Sequence, residues 1–206
     1  MENNPLLYHI THVANLPSIL EQGRLQSHLI IQQHELPYED VANLDVQSRR
    51  KKTKISGGMG GSLHDYIPFY FESRSPMLYS LLYKPNVNQN DMIYFMTNIQ
   101  TIVDNELPFV FTDAHAIRRL SNVYTDLSNL DKIDWDVMKS AYWNDTNEDM
   151  SRKARRQAEF LVYCHVPLSA CLGFAVYDKE TKEKVEQMLT DVDVDLPVGV
   201  RPGFYF

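Results

Sequence analysis

A single carboxylate follows a dense basic run in this chain. The segment "SRKARRQAEFLVYCHV" spans residues 151–166, and Glu159 is its only acid. Four cationic side chains at positions 152–156 precede Glu159, and an apolar stretch follows it. A carboxylate held at the start of a strand beside cations suits a general base or a group that stabilises developing positive charge. The alternative is a structural glutamate paired with Arg155 or Arg156, which is common at strand edges.

The N-terminal segment "YHITH" carries a second set of polar groups. Side chains alternate along a strand, so His9 and Thr11 would share one face of a first strand. This pair could hydrogen-bond a ribose or an amide, or His9 could be a histidine satisfied within the fold. The spacing of His9 and His12 does not suit a helical metal pair, and we expect no metal. Neither a Walker loop nor a GxGxxG motif occurs in the sequence.

Cationic and aromatic residues are concentrated in few places. The formal net charge is -7, yet residues 49–54 and 152–156 hold nine of the twenty Lys and Arg residues, and residues 178–195 are rich in acids. Tyr142 and Trp143 lie just before the second basic run. Bases stack on aromatic rings and phosphates pair with Lys and Arg, so this pattern is typical of single-stranded nucleic-acid binding. The alternative is that both runs are solvated loops.

Short strands and helices alternate without a regular βαβ rhythm, which favours the α+β class. The segments "LLYHIT", "YIPFYF", "MIYFM" and "PFVFTD" predict strands, the last ending at Asp113 as a helix cap. Asn15 as N-cap and Gly23 as a stop predict a helix between them. Residues 131–143 and 179–189 also have helical spacing. From Glu159 a period of two predicts one strand that continues to Val166.

Length and composition limit the number of domains and the cellular compartment that we expect for this protein. With 206 residues and 44% hydrophobic composition, the chain can form one domain over residues 1–206. The two cysteines, Cys164 and Cys171, predict buried free thiols in a reducing cytoplasm. The start has no basic region before its apolar residues, and no apolar run approaches the roughly 20 residues that span a bilayer. We therefore expect a cytoplasmic protein with no membrane association.

Four blocks together resemble one family. The blocks "YHITHVANLPSIL", "GGSLHDYIPFYFESRSPMLY", "FTDAHA" and "RRQAEFLVYCHVP" are similar, in order, to the DarT family of bacterial DNA ADP-ribosyltransferase toxins. This resemblance implies the ADP-ribosyltransferase fold, with two packed, mostly antiparallel sheets, peripheral helices and an NAD cleft between the sheets. It also implies NAD as co-substrate.

The resemblance assigns roles to individual residues. Glu159 matches the catalytic glutamate, and Arg50 matches the second catalytic residue, with the adjacent Arg49 as the alternative. The residues implied in NAD binding are His9, Thr11, Asn15, Leu16, Tyr70 and Met77. The residues expected to bind DNA are Arg49, Lys51, Lys54, His115, Trp143, Thr146, Arg152 and Arg155.

The implied reaction is transfer of ADP-ribose from NAD to a thymine of single-stranded DNA, within a short sequence motif. Such toxins are paired with a macrodomain antitoxin that removes the mark, and we expect this chain to act as a monomer. Other acceptors stay open, because a branch of the family modifies guanine and the fold also serves RNA and protein acceptors. A catalytically silent nucleic-acid-binding module is the remaining alternative.

Overall fold

The computed structural model describes residues 4–84 and 87–206. The strands in these ranges are β1 Leu6–His12, β2 Arg24–Gln26, β3 Tyr66–Tyr70, β4 Met92–Asn98, β5 Phe109–Thr112, β6 Val123–Tyr124, β7 Glu159–Tyr163, β8 His165–Pro167, β9 Gly173–Val176 and β10 Val198–Val200. The α-helices are α1 Leu16–Gln22, α2 His28–Gln33, α3 Leu44–Lys52, α4 Pro76–Leu81, α5 Ile99–Asp104, α6 Trp135–Lys139, α7 Arg152–Arg155 and α8 Lys179–Asp191.

Eight strands form one sheet in the order β10-β9-β4-β1-β3-β7-β5-β6, and β2 pairs with β8 in a small second sheet. All neighbours are antiparallel except β9 and β10. The α+β class and the mostly antiparallel sheets predicted from the sequence are therefore confirmed.

The large sheet consists of two halves joined at its centre. β1 pairs with β4 over seven residues but with β3 only where Tyr8 lies opposite Tyr70. Pro68 provides a physical reason, because proline has no N–H to continue a ladder. Its carbonyl instead lies 2.8 Å from Nδ1 of His9 on β1. The two halves therefore separate beyond Tyr8, and a cleft opens between β1 and β3.

Alternating side chains of the central strands pack on both faces of the sheet. Leu7, Phe69 and Phe95 belong to the larger core cluster, which α1, α5 and α8 cover. Tyr8, Tyr70, Met92 and Tyr94 pack on the opposite face with Leu78 and Leu81 of α4. Burial of large aromatic side chains on both faces holds the central strands rigid, as a site built on them requires.

Three local expectations need correction. The strand predicted for residues 159–166 is interrupted at Cys164, which has φ +67°, so β7 lies in the large sheet and β8 in the small one. Asn15 precedes α1, but its side chain makes no cap hydrogen bond. Asp113 caps no helix. Its carboxylate accepts hydrogen bonds from Asn122 and Tyr124, which closes the turn between β5 and β6.

The two cysteines are unpaired thiols, with Cys171 buried and Cys164 partly buried. Across residues 4–84 and 87–206, every helix is too short or too polar to cross a membrane.

Candidate active site

Glu159 lies at the centre of a buried hydrogen-bonded cluster. Its side chain has no exposed surface, and Nη1 of Arg50 lies 2.7 Å from its Oε2. The backbone N–H of Ala116 donates to its Oε1 at 3.1 Å. Nε2 of His115 lies 3.8 Å from the same oxygen. A carboxylate without solvent contact keeps its charge only with partners of this kind, so the cluster holds Glu159 in one orientation.

Secondary structure explains how these groups meet. The N–H of Glu159 donates to the Thr112 hydroxyl, which fixes the start of β7 beside the end of β5. α3 is capped by the Asn43 side chain and presents Arg50 from its last turn. Arg49 points elsewhere, toward the carbonyl of Ile117 at 3.4 Å. The geometry therefore places Arg50, and not Arg49, against the carboxylate.

The alternative pairing of Glu159 with the neighbouring basic run is wrong. Arg155 donates to Asp134 and Asp149 instead. The guanidinium of Arg156 donates to the carbonyls of Val137 and Arg74.

A cavity of about 320 Å³ occupies the cleft between the two halves of the sheet. Its lining includes residues expected from the sequence, namely His9, Thr11, Asn15, Arg50, Tyr70, Met77 and His115. Glu159 does not line the cavity, but its partner Arg50 does. Nη2 of Arg50 is buried without a partner among the described residues. This N–H group can therefore donate one further hydrogen bond.

His9 has a defined hydrogen-bonding state. Burial lowers the pKa of His9 to about 4, and the nearby Arg50 contributes to this shift. The ring is therefore neutral at neutral pH. A carbonyl can only accept, so Nδ1 carries the proton toward Pro68 and Nε2 is left as an acceptor. His9 can accept a hydrogen bond from a hydroxyl or amide in the cavity.

Asn15 fixes the cavity wall rather than presenting its amide to the open space. Its Nδ2 donates to the Thr11 hydroxyl and to the Glu39 carbonyl, and its Oδ1 accepts from the N–H of Glu39. Lys84 donates to the carbonyls of Val41 and Ala42 in the same 34–43 segment. That segment covers the cavity, so Asn15 and Lys84 determine its position.

The other expected NAD contacts divide into two groups. Tyr70 is 7% exposed, and its hydroxyl donates to Sδ of Met77, so both line one side of the cavity. Burial raises the pKa of Tyr70, which keeps it protonated. Leu16 is fully buried in the larger core cluster and does not reach the cavity. Leu16 therefore anchors the start of α1 to the hydrophobic core.

Only some of the residues expected to bind DNA are exposed to solvent. Arg49, Lys51, Lys54 and Thr146 are exposed. His115 lies at the Glu159 cluster, where burial lowers its pKa and Glu159 partly opposes that shift. Arg152 donates to the carbonyl of Tyr142 and to Ser140, which fixes the preceding loop.

Two expected DNA contacts need correction. Trp143 was predicted to stack on a base, but it is only 7% exposed and packs against Tyr79. Its neighbour Tyr142 is 84% exposed instead. The guanidinium of Arg155 is engaged by two carboxylates, and hydrogen bonds from Arg155 hold the pKa of Asp149 well below its usual range. Arg155 therefore braces the loop before Glu159.

The structure also brings unpredicted residues to the site. Lys153 and Gln157 from the basic run line the cavity, as do Gln26 and His64. Arg118 follows Ala116, whose N–H binds Glu159, and both Arg118 and Arg119 are exposed. The dipeptide Arg118–Arg119, one residue after the block "FTDAHA", is the signal in the sequence for these two cations. Within the described part of the chain, no three His, Cys, Asp or Glu residues are grouped to hold a metal ion.

Comparison with known proteins agrees with this geometry. A family described as "ssDNA thymidine ADP-ribosyltransferase, DarT" matches residues 8–206. A DNA ADP-ribosyl transferase of Thermus sp. 2.9 is 36% identical over 186 residues, covering 89% of this chain and 86% of that protein. One from Escherichia coli O127:H6 is 32% identical over 208 residues, covering 98% and 93%. A fusion protein of Thermosipho africanus, named DNA ADP-ribosyl transferase-DNA ADP-ribosyl glycohydrolase, is 28% identical and covers 97% of this chain and 49% of the fusion.

Solved structures show the same fold. Thermus sp. 2.9 DarT in complex with ADP-ribosylated ssDNA superposes with a TM-score of 0.90 at 34% identity, covering 98% of this chain and 96% of the other. The same protein in complex with NAD+ gives a TM-score of 0.84 at 32% identity, with 98% of each chain covered. The matching family, relatives and solved structures thus place this chain in the class of DNA ADP-ribosyltransferases. Within that class, this chain belongs to the DarT family.

Proposed function

We propose that this chain transfers ADP-ribose from NAD to N3 of a thymine base in single-stranded DNA. The observation that carries the proposal is the buried pair of Glu159 and Arg50, 2.7 Å apart behind one wall of the cleft cavity, in a chain of the DarT family. Glu159 is the catalytic carboxylate, and Arg50 is the catalytic cation.

The cavity fits an NAD donor. Its volume of about 320 Å³ lies in the usual range for small-molecule sites. His9 offers a hydrogen-bond acceptor, and Arg50 offers an unpartnered N–H. Tyr70 and Met77 provide an apolar wall for a planar ring. These donors and acceptors match the hydroxyl and phosphate groups and the nicotinamide of NAD.

The reaction follows from the charges that must change. The bond between the ribose anomeric carbon and the nicotinamide nitrogen breaks, and nicotinamide leaves with the bonding electrons. The sugar carbon becomes electron-poor, and the Glu159 carboxylate stabilises it electrostatically. Thymine N3 then forms the new bond while its proton passes to Glu159. Arg50 stabilises the negative charge that develops on the thymine ring.

The Glu159 carboxylate has no exposed surface and does not line the cavity, so it must become accessible for Glu159 to act. Anionic phosphate and the acceptor base can draw the guanidinium away from Glu159. We propose that the buried pair is the resting arrangement and that the bound substrates rearrange it.

The acceptor must be single-stranded, because pairing in a duplex hides thymine N3. Phosphates would bind the exposed Arg49, Lys51 and Lys54, with Arg118 and Arg119 close to the Glu159 cluster. His115 lies near enough to Glu159 to contact the acceptor base.

We further propose that the chain is a cytoplasmic, monomeric toxin paired with a macrodomain antitoxin that removes the mark. The fusion relative, whose name joins a DNA ADP-ribosyl transferase to a DNA ADP-ribosyl glycohydrolase, supports a reversing partner.

To test this, the purified chain is incubated with NAD and with single-stranded oligonucleotides that are identical except at one base. We expect one added ADP-ribosyl group by mass spectrometry on strands that contain thymine and none with Glu159→Gln. If only the strand with guanine is modified, the acceptor base is guanine and not thymine. If only RNA or protein is modified, the substrate is not DNA. NAD-independent DNA binding without any turnover would indicate a silent module.

A further inference from the structure

An aromatic surface lies outside the cavity. We define the aromatic face as Tyr79, Tyr83, Trp143 and Phe206. Tyr79 is central, with its ring centroid 5.2 Å from those of Tyr83 and Phe206 and 5.8 Å from that of Trp143. Tyr79 is 40% exposed and Tyr83 is 71% exposed. Trp143 is buried and Phe206 is half-buried, and both rings contact Tyr79, so the exposed Tyr79 and Tyr83 rings lie on a packed aromatic base.

The aromatic face adjoins the active-site cavity through two elements. Tyr79 lies on α4 between Met77 and Ser80, which both line the cavity. Trp143 begins the loop that leads to Lys153, another lining residue. Tyr79 points away from Met77, its second neighbour on the helix, but directly precedes Ser80, so the face borders the cavity on the Ser80 side of α4.

The chemistry of the face favours nucleobases. Exposed tyrosines combine a stacking surface with a polar hydroxyl, and the hydroxyls of Tyr79 and Tyr83 lie 2.6 Å apart. The exposed Arg74 lies 4.5 Å above the centre of the Phe206 ring and adds a cation at the edge. Stacked aromatic rings beside a cation are the recognised means of binding single strands without reading sequence.

The size of the cavity gives the second argument. A space of about 320 Å³ is too small for a strand of several nucleotides. The nucleotides next to the target base must therefore lie on the surface at the cavity mouth. The aromatic face supplies stacking surface at that location.

We propose that Tyr79 and Tyr83 bind bases of the substrate strand beside the modified nucleotide. This inference rests on the proposed function and extends it to a second DNA contact. The aromatic face determines affinity for the flanking strand, whereas the Glu159 cluster carries out the transfer.

The experiment compares Tyr83→Ala, Tyr83→Phe and the wild-type chain on two strands, each with one thymine. One strand has about four nucleotides, with abasic sites in place of the bases beside its thymine, and the other has about sixteen nucleotides with all bases present. Binding is measured by fluorescence anisotropy without NAD, and modification by mass spectrometry. We expect Tyr83→Ala to weaken binding of the long strand by about 5- to 150-fold, the range for one lost stacking contact. Tyr83→Phe keeps the ring and should bind like the wild type.

The short strand separates this inference from the proposed function. Wild type and Tyr83→Ala should modify the short strand at similar rates, because it has no base beside the thymine to stack on the aromatic face. Equal losses on both strands, or no loss on either, would overturn the aromatic-face proposal while the thymine chemistry stands. If the wild-type chain modifies neither strand, the proposed function itself fails. The long strand is also tested with its thymine at the 5′ end or at the 3′ end. Tyr83→Ala should weaken binding for only one of these two strands, because the flanking nucleotides reach the aromatic face from only one side of the thymine.

Discussion

Removing the Glu159 carboxylate should destabilise the protein as well as inactivate it. Glu159→Ala deletes the partner of Arg50 and leaves that guanidinium, only 10% exposed, without its counter-charge. It also leaves the N–H of Ala116 without an acceptor. Breaking a buried ion pair by removing one partner costs about 3–5 kcal/mol. For a domain of this size, that cost lowers the melting temperature by about 6–20 °C.

Glu159→Gln provides the matched variant. Its amide oxygen can still accept from Ala116 or Arg50, so only the charge-assisted part of the pair is lost. We expect a cost of about 1–2 kcal/mol and a fall in melting temperature of about 2–8 °C. Glu183→Ala, an exposed glutamate on α8, serves as the control and should change stability by less than about 0.5 kcal/mol.

The assay is differential scanning calorimetry of the three variants and the wild type, with transfer activity measured on the same samples. Both Glu159 variants should be inactive, but they should differ in stability. If Glu159→Ala melts within about 2 °C of the wild type, the carboxylate does not form the buried pair, and the reasoning from burial is refuted.

Three further predictions concern the cavity and the DNA contacts. Because the folded-state pKa of His9 is about 4 against 6.5 unfolded, the unfolded chain binds more protons between these values. The free energy of unfolding should therefore fall as pH drops through that window, and His9→Gln should reduce the fall by about 1–3 kcal/mol in urea titrations. Asn15→Ala frees the 34–43 segment, so steady-state kinetics should show KM for NAD raised by about 5- to 150-fold with kcat nearly unchanged; an unchanged KM would contradict the positioning role. Arg155→Ala should leave the salt dependence of DNA binding unchanged because its charge is already paired, whereas Lys51→Ala should reduce the slope of log affinity against log salt by about 0.7; equal slopes for both would contradict this distinction.

Much of the fold followed from local patterns. β1, β3, β4 and the start of β7 are runs of apolar and aromatic residues with clear turns around them, and α8 has strong helical spacing. The break at Cys164 did not follow, because period-two alternation continues through it and only the tertiary structure places β8 in another sheet. Pro68 was the missed signal for the split between β1 and β3, since proline within a strand marks a position where a ladder ends.

The site was less predictable than the fold. The resemblance matched Glu159 and either Arg50 or Arg49 to catalytic residues. The contact of Glu159 with Arg50 spans 109 positions of sequence, and no local pattern could reveal it. Trp143 and Arg155 were misjudged because residue type alone does not report burial or ion pairing. The sequence predicts an exposed ring at Trp143 and an exposed cation at Arg155. In the structure, Trp143 packs against Tyr79, and Arg155 donates hydrogen bonds to two aspartates. The sequence shows Tyr79 and Tyr83 only as members of an aromatic segment, because the surface that they share depends on how α4 packs.

The central claim is that the Glu159 and Arg50 pair directs ADP-ribose to thymine N3. The most direct measurement uses three single-stranded oligonucleotides that are identical except for one base: thymine, N3-methylthymine or cytosine. Each is incubated with NAD and either the wild-type chain or Glu159→Gln, and the products are fragmented by mass spectrometry. We predict one ADP-ribosyl group on the thymine strand with the wild type, and no product on the other strands or with Glu159→Gln. Equal modification of the N3-methylthymine strand, or full activity of Glu159→Gln, would contradict the account.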